Sequence, residues 1–512
     1  MVHQIRTGQK QFLLPSVAGA LLILLFSCMW SIYGPHIIDD AYITFRYARN
    51  ISRGEGLVYN PGERVQGAST PLYTLILGFL GFLGINIKTG AIFLGIMASI
   101  AILVLLIIIG ISSGYPKAGW LAAFVITSQL IWILISVSGM ETMLYSLVIL
   151  SGLYFASRKK WRWVGLHAGL AMLLRNDGLI LAFILLAAVI WKAGLKSFVR
   201  ETVKALLIYL PWFIFACIYF GSPLPHSVKA KTVINNLTWM GLAKQYYQFL
   251  SLAPLWWMWL PLSVYGTLRM VKKSSAYLVF PSFIFLYLFA FIVSRRPVAF
   301  YPWYLVPLFP PVFFTASVGL REIIEKILNP ERKNTGKASH RWISKNLKFD
   351  LFLLAGALIV LFQMMDILSK REQFGKHILH REEKYRRAAK IFSEEIKPGD
   401  TVYVGELGAI GWYLPEAYII DSAGLISPKV YEIRKRDREA IMNKGESPED
   451  YLDGTEQVTL SVIEELRPDY IISRREFLFL KEVSDDPFFK KRYEEILEEK
   501  LKTLGQRAFK RK

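Results

Sequence analysis

Long apolar blocks constrain this chain more than any other feature of its sequence. A helix needs about 20 apolar residues to cross a bilayer, and most of the blocks approach that length. They run roughly over residues 12–33, 71–84, 90–111, 117–136, 140–157, 163–174, 177–194, 202–220, 253–271, 277–294, 299–320 and 350–368. The sequence therefore predicts a polytopic helical membrane protein and excludes a soluble enzyme, a secreted disulfide scaffold and a disordered chain.

Charge is distributed unevenly along the 512 residues. The chain carries 61 Lys and Arg against 40 Asp and Glu, a net charge of +21. Residues 370–512 hold 28 of each sign, so residues 1–369 carry the whole excess. Basic loops beside apolar spans indicate membrane topology rather than nucleic-acid binding. The two cysteines, Cys28 and Cys217, lie inside apolar blocks, so neither a disulfide framework nor a cysteine metal site is expected.

The basic residues beside the blocks predict the orientation of the spans, because cytoplasmic loops are rich in Lys and Arg. Arg6 and Lys10 place the N-terminus in the cytoplasm, and segments 157–162, 192–204, 269–273 and 321–348 are also basic. These assignments agree only if one block before residue 157 does not cross. Block 71–84 is short and contains three glycines, so we expect it to lie in the interface or to re-enter. About 11 spans and an outward C-terminus follow.

The same topology gathers several loops on the outer face of the membrane. They are loops 34–70, 138–141, 175–177, 221–231 and 294–296. Every acidic residue before Glu201 falls on this face: Asp39, Asp40, Glu55, Glu63, Glu141 and Asp177. Ionisable residues beside membrane spans mark functional sites, so we expect the chemistry at this face.

The sequence divides into a membrane domain, residues 1–369, and a smaller C-terminal domain, residues 370–512. Short apolar runs at 401–404, 417–420 and 470–472 follow turn signals and predict strands of an extracytoplasmic α/β domain. Residues 481–512 are highly charged and predict a helix or a frayed tail. We assign the chain to the cell membrane, with many spans and a cytoplasmic N-terminus.

The first outer loop, 34–70, carries two adjacent carboxylates, Asp39 and Asp40, directly after the first block. A carboxylate at the membrane surface suits a general base that acts on a lipid-linked substrate. Adjacent helix positions do not face each other, so one residue would be the base and the other an orienting group or metal ligand. An acidic helix start is the alternative interpretation. A divalent cation near Asp40 is the one cofactor considered, and no dense pattern of oxygen ligands supports it.

The stretch Asp-Asp-Ala-Tyr-Ile-Thr-Phe-Arg-Tyr-Ala at 39–48 resembles the GT-C superfamily of integral-membrane glycosyltransferases. It is most similar to the branch that includes mycobacterial terminal arabinofuranosyltransferases. Further matches lie at residues 138–142, 174–178, 221–231, 301–305 and 408–428. Asn176 and His226 depart from the residues that are commoner in that branch, which bears on the substrate rather than on the class.

The resemblance implies a helical GT-C fold and an inverting transfer of one sugar, a hexose or a pentose. The donor would be a polyprenyl-phosphate sugar, and the acceptor a hydroxyl of an envelope glycan, lipid or protein on the outer face. Asp39 would be the general base by this resemblance. The departing lipid phosphate needs cations, and arginine suits phosphate by its two-pronged geometry. The candidates for substrate binding are Arg46, His226, Lys229, Lys231, Arg295 and Arg296.

Each basic candidate has a simpler interpretation as a contact with lipid headgroups. Glu141 and Asp177 are further substrate-binding candidates, but Asp177 could instead form a buried ion pair with Arg175. Glu141 could instead face a helix N-terminus. Tyr301, Trp303 and Tyr304 indicate an interfacial aromatic belt. Two other functions remain open: a secondary transporter, against which the one-sided acids argue, and a membrane sensor whose outer domain binds a glycan without catalysis.

Overall fold

The computed structural model describes residues 36–234, 240–244, 256–294, 302–328, 381–443, 455–474, 480–496 and 504–512, together with residues 247, 358, 361, 362, 365 and 501. Residues up to 328 form a helical bundle, and residues from 381 onwards form a small α/β domain. The first block, 12–33, and most of the block at 350–368 lie outside the described residues. The predicted helical membrane domain and C-terminal sheet domain are both present.

The bundle is built from α-helices. They are α1 (Asp39–Ser52), α2 (Pro71–Phe82), α3 (Ile87–Ser113), α4 (Pro116–Thr127), α5 (Leu130–Ser136), α6 (Thr142–Ser157), α7 (Val164–Leu174), α8 (Gly178–Phe220), α9 (His226–Ile234), α10 (Trp256–Lys273), α11 (Val279–Val293) and α12 (Phe309–Leu328). Short 3₁₀ turns lie at Trp161–Trp163, Ser275–Leu278, Pro302–Tyr304 and Val306–Leu308.

Among the described residues, three stretches of helix are long and apolar enough to cross a membrane: α3, α8 and Ser275–Val293. Helices α4 and α5 together would make a fourth span, but they are bent by 76° at their junction. The predicted total of about 11 spans stays a prediction. Helix α2, within the block that we expect not to cross, has 12 residues. At 1.5 Å per residue it is too short for a hydrocarbon core of about 30 Å.

Helix α8 is two antiparallel segments joined at Gly194. This glycine has φ 79° and ψ 174°, a conformation that interrupts the helix and that residues with a Cβ rarely adopt. Before the break, Gly178 lies against Ala171 near the end of α7. After it, Glu201 lies against Gly165 at the start of α7. The first segment therefore runs antiparallel to α7 and the second runs parallel to it. Two separate segments are what the blocks 177–194 and 202–220 predict.

The C-terminal domain contains a five-stranded mixed sheet with flanking helices. Its elements are α13 (Arg381–Phe392), β1 (Thr401–Val404), α14 (Gly408–Tyr413), β2 (Tyr418–Asp421), α15 (Pro428–Asn443), α16 (Thr455–Leu466), β3 (Tyr470–Arg474), α17 (Leu480–Asp485), α18 (Pro487–Arg492), β4 (Tyr493–Glu495) and β5 (Gln506–Arg511). The strand order is β2-β1-β3-β5-β4. Strand β1 runs parallel to both of its neighbours, whereas β5 runs antiparallel to β3 and β4.

The three strands predicted in this domain are confirmed. The prediction of only a helix or a frayed tail after residue 481 is wrong, because β4 and β5 complete the sheet there. In β5, Gln506, Ala508 and Phe509 are buried while Lys510 and Arg511 are exposed. The many charged residues of this segment masked its strand pattern in the sequence. The buried side chains of β5 nevertheless pack on the core of the domain.

We predict that the close contact between α10 and α12 is sensitive to one added methyl group. A Cβ on Gly266 would overlap the carbonyl of Thr315, and the Ser263 and Thr315 hydroxyls hydrogen-bond at 2.6 Å across the same interface. Gly266→Ala should therefore lower the free energy of unfolding by about 1–3 kcal/mol, measured by thermal unfolding in detergent. Val264→Ala, on the exposed face of α10, is the control. Equal unfolding temperatures for both variants would contradict the prediction.

Candidate active site at the first loop

The Asp39 carboxylate joins the bundle to the C-terminal domain. Its two oxygens accept hydrogen bonds from the backbone N–H groups of Gly408 at 3.1 Å and Ala409 at 2.8 Å. These N–H groups open the short helix α14, so a carboxylate lies where a helix N-terminus favours negative charge. A Cβ on Gly408 would overlap the Asp39 carbonyl. Only glycine allows this approach of the two backbones.

Arg46 holds the other end of α14. Its side chain is wholly buried, and its Nε donates to the carbonyl of Tyr59 at 2.9 Å. Its two terminal nitrogens donate to the carbonyls of residues 411, 414, 415 and 417. A guanidinium has five N–H donors, and five carbonyl contacts use all of them. Arg46 therefore has a docking role here, which is at odds with the predicted contact between its guanidinium and a donor phosphate.

Further contacts fasten loop 53–70 to the C-terminal domain. The Asn60 side chain donates to the carbonyl of Ile419 at 2.9 Å and accepts from its N–H at 3.0 Å, so it pairs with the free edge of β2 as another strand would. The Tyr59 hydroxyl donates to the carbonyl of Leu407 at 2.7 Å. The first loop and the C-terminal domain are thus one packed unit.

Four of the five loops predicted to share a face meet at this end of the bundle. The N–H of Ile38 donates to Ser138 O at 3.1 Å, and the N–H of His226 donates to Gln66 O at 2.8 Å. Arg175 reaches Glu141 at 2.9 Å. These contacts confirm the grouping for the loops at 34–70, 138–141, 175–177 and 221–231. Arg295 and Arg296 lie outside the described residues.

Arg175 is the centre of a buried ionic cluster. It contacts Glu141 at 2.9 Å, and it grips both oxygens of Asp177, at 2.9 and 3.2 Å. The Tyr287 hydroxyl donates to Asp177 at 2.9 Å and lies 3.0 Å from the carbonyl of Tyr304. The cluster therefore ties loops 138–141 and 175–177 to α11 and to the turn at Pro302–Tyr304.

The charges of this cluster depend on one another. Burial raises the pKa of the Glu141 carboxyl, and the neighbouring Arg175 opposes that shift. Burial works to lower the pKa of Arg175, but Asp177, Tyr287 and Glu141 together outweigh burial, so the guanidinium pKa is raised. Arg175 accordingly stays charged. This geometry agrees with the interpretation of Arg175 and Asp177 as a buried ion pair, while substrate contacts by Glu141 and Asp177 stay predictions.

Helix α9 connects the first loop with the Arg175 cluster. His226 lies at its start beside Gln66, and the Lys231 ammonium donates to the Tyr304 hydroxyl at 3.3 Å. The Tyr304 ring in turn lies 5.1 Å from the Arg175 guanidinium, and the interfacial belt stays a prediction. Lys229 is exposed on the same helix. His226 therefore contacts the loop that carries Asp39 and Asp40, and Lys231 lies beside the Arg175 cluster.

Several buried polar atoms at the start of α9 have no hydrogen-bond partner among the residues that the structure describes. They are both amide atoms of Gln66, the Nε2 of His226 and the hydroxyl of Ser227. Burial lowers the pKa of His226, and the charge of Lys229 lowers it further, so its ring is neutral near pH 7. Buried polar groups without hydrogen-bond partners in the protein are typical of a site that binds ordered water or a ligand.

Sequence reasoning missed Gln66, Ser227 and Tyr287. Gln66 and Ser227 carry no charge and belong to no recognisable spacing, so nothing in the sequence distinguished them. The hydroxyl of Tyr287 within an apolar span was a usable signal, because such groups need a partner. Asp40 is partly exposed. No group of three or more His, Cys, Asp or Glu side chains that could hold a metal ion occurs within the described ranges, and the divalent cation stays a prediction.

Comparisons with known proteins agree with the fold. A family described as a domain of unknown function (DUF8728) matches residues 376–510, within the C-terminal domain. No curated protein matches the sequence. Among solved structures, ArnT from Cupriavidus metallidurans in the apo state superposes with a TM-score of 0.58 at 10% identity, over 96% of this chain and 97% of that one.

Two further structures share this architecture. ArnT from the same organism bound to undecaprenyl phosphate gives a TM-score of 0.53 at 11% identity, again over 96% and 97% of the two chains. An Archaeoglobus fulgidus oligosaccharyltransferase in complex with zinc and sulfate gives 0.53 at 12% identity, over 92% of this chain and 71% of that one. The structural neighbours are thus GT-C glycosyltransferases of the ArnT and oligosaccharyltransferase types. At these identities, the likeness shows that this chain shares the overall fold of these proteins.

We predict that loss of the Arg46 contacts loosens the C-terminal domain. Arg46→Met keeps an apolar chain of similar length but removes every donor, so buried carbonyls lose their partners. The free energy of unfolding should fall by about 3 kcal/mol, read as an earlier thermal transition. Arg53→Met, at an exposed arginine just after α1, should change it by less than about 0.5 kcal/mol. An unchanged transition in Arg46→Met would show that the contacts contribute nothing.

We predict a larger effect at the ionic cluster. Arg175→Gln leaves the buried Glu141 and the half-buried Asp177 without their cation, and breaking a buried pair costs about 3–5 kcal/mol. The double variant Arg175→Gln/Glu141→Gln should recover part of that loss, because one unpaired charge is removed. Thermal unfolding of the single and double variants measures the coupling, with the exposed Lys196→Gln as control. Additive effects of the two substitutions would argue against a coupled cluster.

Proposed function

We propose that this protein is an inverting glycosyltransferase that moves one sugar from a polyprenyl-phosphate donor to an acceptor hydroxyl at the outer face of the membrane. One observation carries the proposal: the Asp39–Asp40 pair lies at the junction of the first loop, loop 138–141 and the C-terminal domain. An acceptor held by the soluble domain and a donor held by the bundle would meet at this junction.

The GT-C fold supports the same proposal. One ArnT structure with this architecture is bound to undecaprenyl phosphate, and we infer a lipid-linked donor here too. The prenyl tail would lie between spans and reach the site from the bilayer. The acceptor is a glycan, lipid or protein of the cell envelope. The arabinofuranosyl specificity suggested by the motif at 39–48 is a finer hypothesis within this class.

Basic residues at the junction suit the donor phosphate. We place it against Lys229 and Lys231 on α9, with Arg295 and Arg296 as further partners by their position in the chain. Lys231 already donates to the Tyr304 hydroxyl, which holds its ammonium beside the cluster of Arg175. Cations at this point would stabilise the charge that develops on the leaving phosphate.

Neutral hydrogen-bonding groups suit the sugar. Gln66, His226 and Ser227 present an amide, an uncharged imidazole and a hydroxyl beside one another. Such groups match sugar hydroxyls, which both donate and accept hydrogen bonds. We therefore assign His226 to the sugar rather than to the phosphate.

The reaction follows from these positions. A carboxylate of the Asp39–Asp40 pair takes the proton of the acceptor hydroxyl as its oxygen bonds to the anomeric carbon. Attack from the side opposite the phosphate inverts the configuration. The bond between the anomeric carbon and the phosphate oxygen breaks, and its electron pair leaves with the polyprenyl phosphate. General-base help of this kind contributes about 10²–10⁴-fold to the rate.

The direct test is sugar transfer by the purified full-length protein in detergent or nanodiscs. A panel of polyprenyl-phosphate hexoses and pentoses is offered with envelope acceptors, and the products are identified by mass spectrometry. We expect at least one donor to be used. Transfer should be lost in Asp39→Asn/Asp40→Asn while the donor still binds, because the pair acts on the acceptor proton.

Other results would point to the other functions. Donor binding without transfer by the wild type, across the whole panel, would favour a glycan sensor. Failure to bind any donor, combined with uptake of a solute in proteoliposomes, would favour a transporter. Glu55→Gln, at an exposed carboxylate of the same loop, is the matched control and should transfer sugar like the wild type.

A further inference from the structure

The two adjacent carboxylates of the first loop have different surroundings. Asp39 uses both oxygens to accept N–H groups from Gly408 and Ala409. Within the part of the chain that the structure describes, the Asp40 carboxylate takes part in no hydrogen bond or ion pair, and it is partly exposed. Asp39 is therefore used to hold the C-terminal domain, whereas the Asp40 carboxylate is available to contact a substrate.

The docking contacts follow one face of α1. Asp39, Tyr42, Arg46 and Arg49 recur at a spacing of three or four residues, which lines one side of a helix. Arg46 donates to the carbonyls at the end of α14, and Arg49 donates to the carbonyl of Trp412 at 2.9 Å. The Tyr42 ring lies 6.1 Å from that of Trp412. This face is therefore fully used to hold α14.

Asp40 lies about 100° around the helix from Asp39. Its side chain consequently leaves α1 outside the stripe that α14 covers. A base must present a lone pair to the acceptor hydroxyl, and both Asp39 oxygens already accept backbone N–H groups. Asp39 is thus the less available of the two carboxylates, although it is the first acid of the motif.

From this geometry we infer that Asp40 is the general base and that Asp39 is a positioning residue. This inference rests on the proposed function. In the reaction, the acceptor O–H proton passes to an Asp40 oxygen, and the new bond joins the acceptor oxygen to the anomeric carbon. The electron pair of the broken bond stays on the polyprenyl phosphate. Asp39 fixes the start of α1 against α14, and so fixes the direction in which Asp40 points.

The experiment compares Asp40→Ala and Asp39→Ala in the full-length protein, with Glu55→Gln as control. Asp40→Ala should lose about 10²–10⁴-fold in transfer rate, with donor affinity and unfolding temperature close to those of the wild type. Added formate should restore part of the rate, because a small carboxylate can occupy the space left by the missing one. A merely structural residue would not be rescued in this way.

Asp39→Ala should behave differently. Hydrogen exchange, followed by mass spectrometry, should quicken at the Gly408 and Ala409 amides, since they lose their acceptor. Its unfolding temperature should fall, and formate should not restore its rate. In Asp40→Ala the same two amides should exchange as in the wild type.

Each result decides between the assignments. Full transfer by Asp40→Ala, or rescue of Asp39→Ala by formate with unchanged amide exchange, would overturn the inference and return the base to Asp39. Wild-type protein that transfers no sugar from any donor would instead overturn the proposed function, and this assignment with it. The first failure leaves an active enzyme and the second leaves none, so the two are distinguishable.

Discussion

The grip of α1 on α14 is the interaction on which the rest of the site depends. A carboxylate at the start of α14 and a guanidinium at its end complement both poles of that helix, where its backbone groups lack partners of their own. Both side chains come from one face of α1. This pair of helices and the contacts of loop 53–70 form the boundary between the membrane domain and the soluble domain, and the proposed reaction takes place there.

A second polar cluster stabilises the opposite wall of the junction. Arg175 gathers Glu141 and Asp177 from two loops, and Tyr287 extends the network to Tyr304. Charges buried in this way are costly unless every partner is present. Helix α9 joins the two clusters, since one end contacts Gln66 and the other contacts Tyr304. The geometry of the lipid-phosphate site that we propose is therefore set from both sides.

Much of the architecture could be predicted from the sequence. The length of the apolar blocks and the basic residues beside them indicate which segments are helices and which loops share a face. The helical domain, the separation of 177–194 from 202–220 and the meeting of the loops followed from those signals. The local partners could not be predicted. Arg46 resembled a phosphate ligand because its sequence gives no sign that carbonyls 365 or more residues away would surround it. Strand β5 was not predicted for a related reason. Its sequence is rich in charged residues, and only the structure shows that its other side chains are buried in the sheet.

The contacts with α14 are made mainly to its backbone. Asp39 and Arg46 recognise amide and carbonyl groups, which every residue type supplies, so these hydrogen bonds do not select the side chains of α14. Packing does select them, because Ala409 and Ile410 are buried and the Trp412 ring lies against that of Tyr42. Gly408 and Gly411 are restricted most, since a Cβ would overlap the Asp39 carbonyl and the Tyr59 hydroxyl. A soluble domain with a different surface could therefore be grafted onto this membrane domain. It would need a short helix that carries glycine at those two positions, an aromatic ring opposite Tyr42, and terminal N–H and carbonyl groups with no other partners.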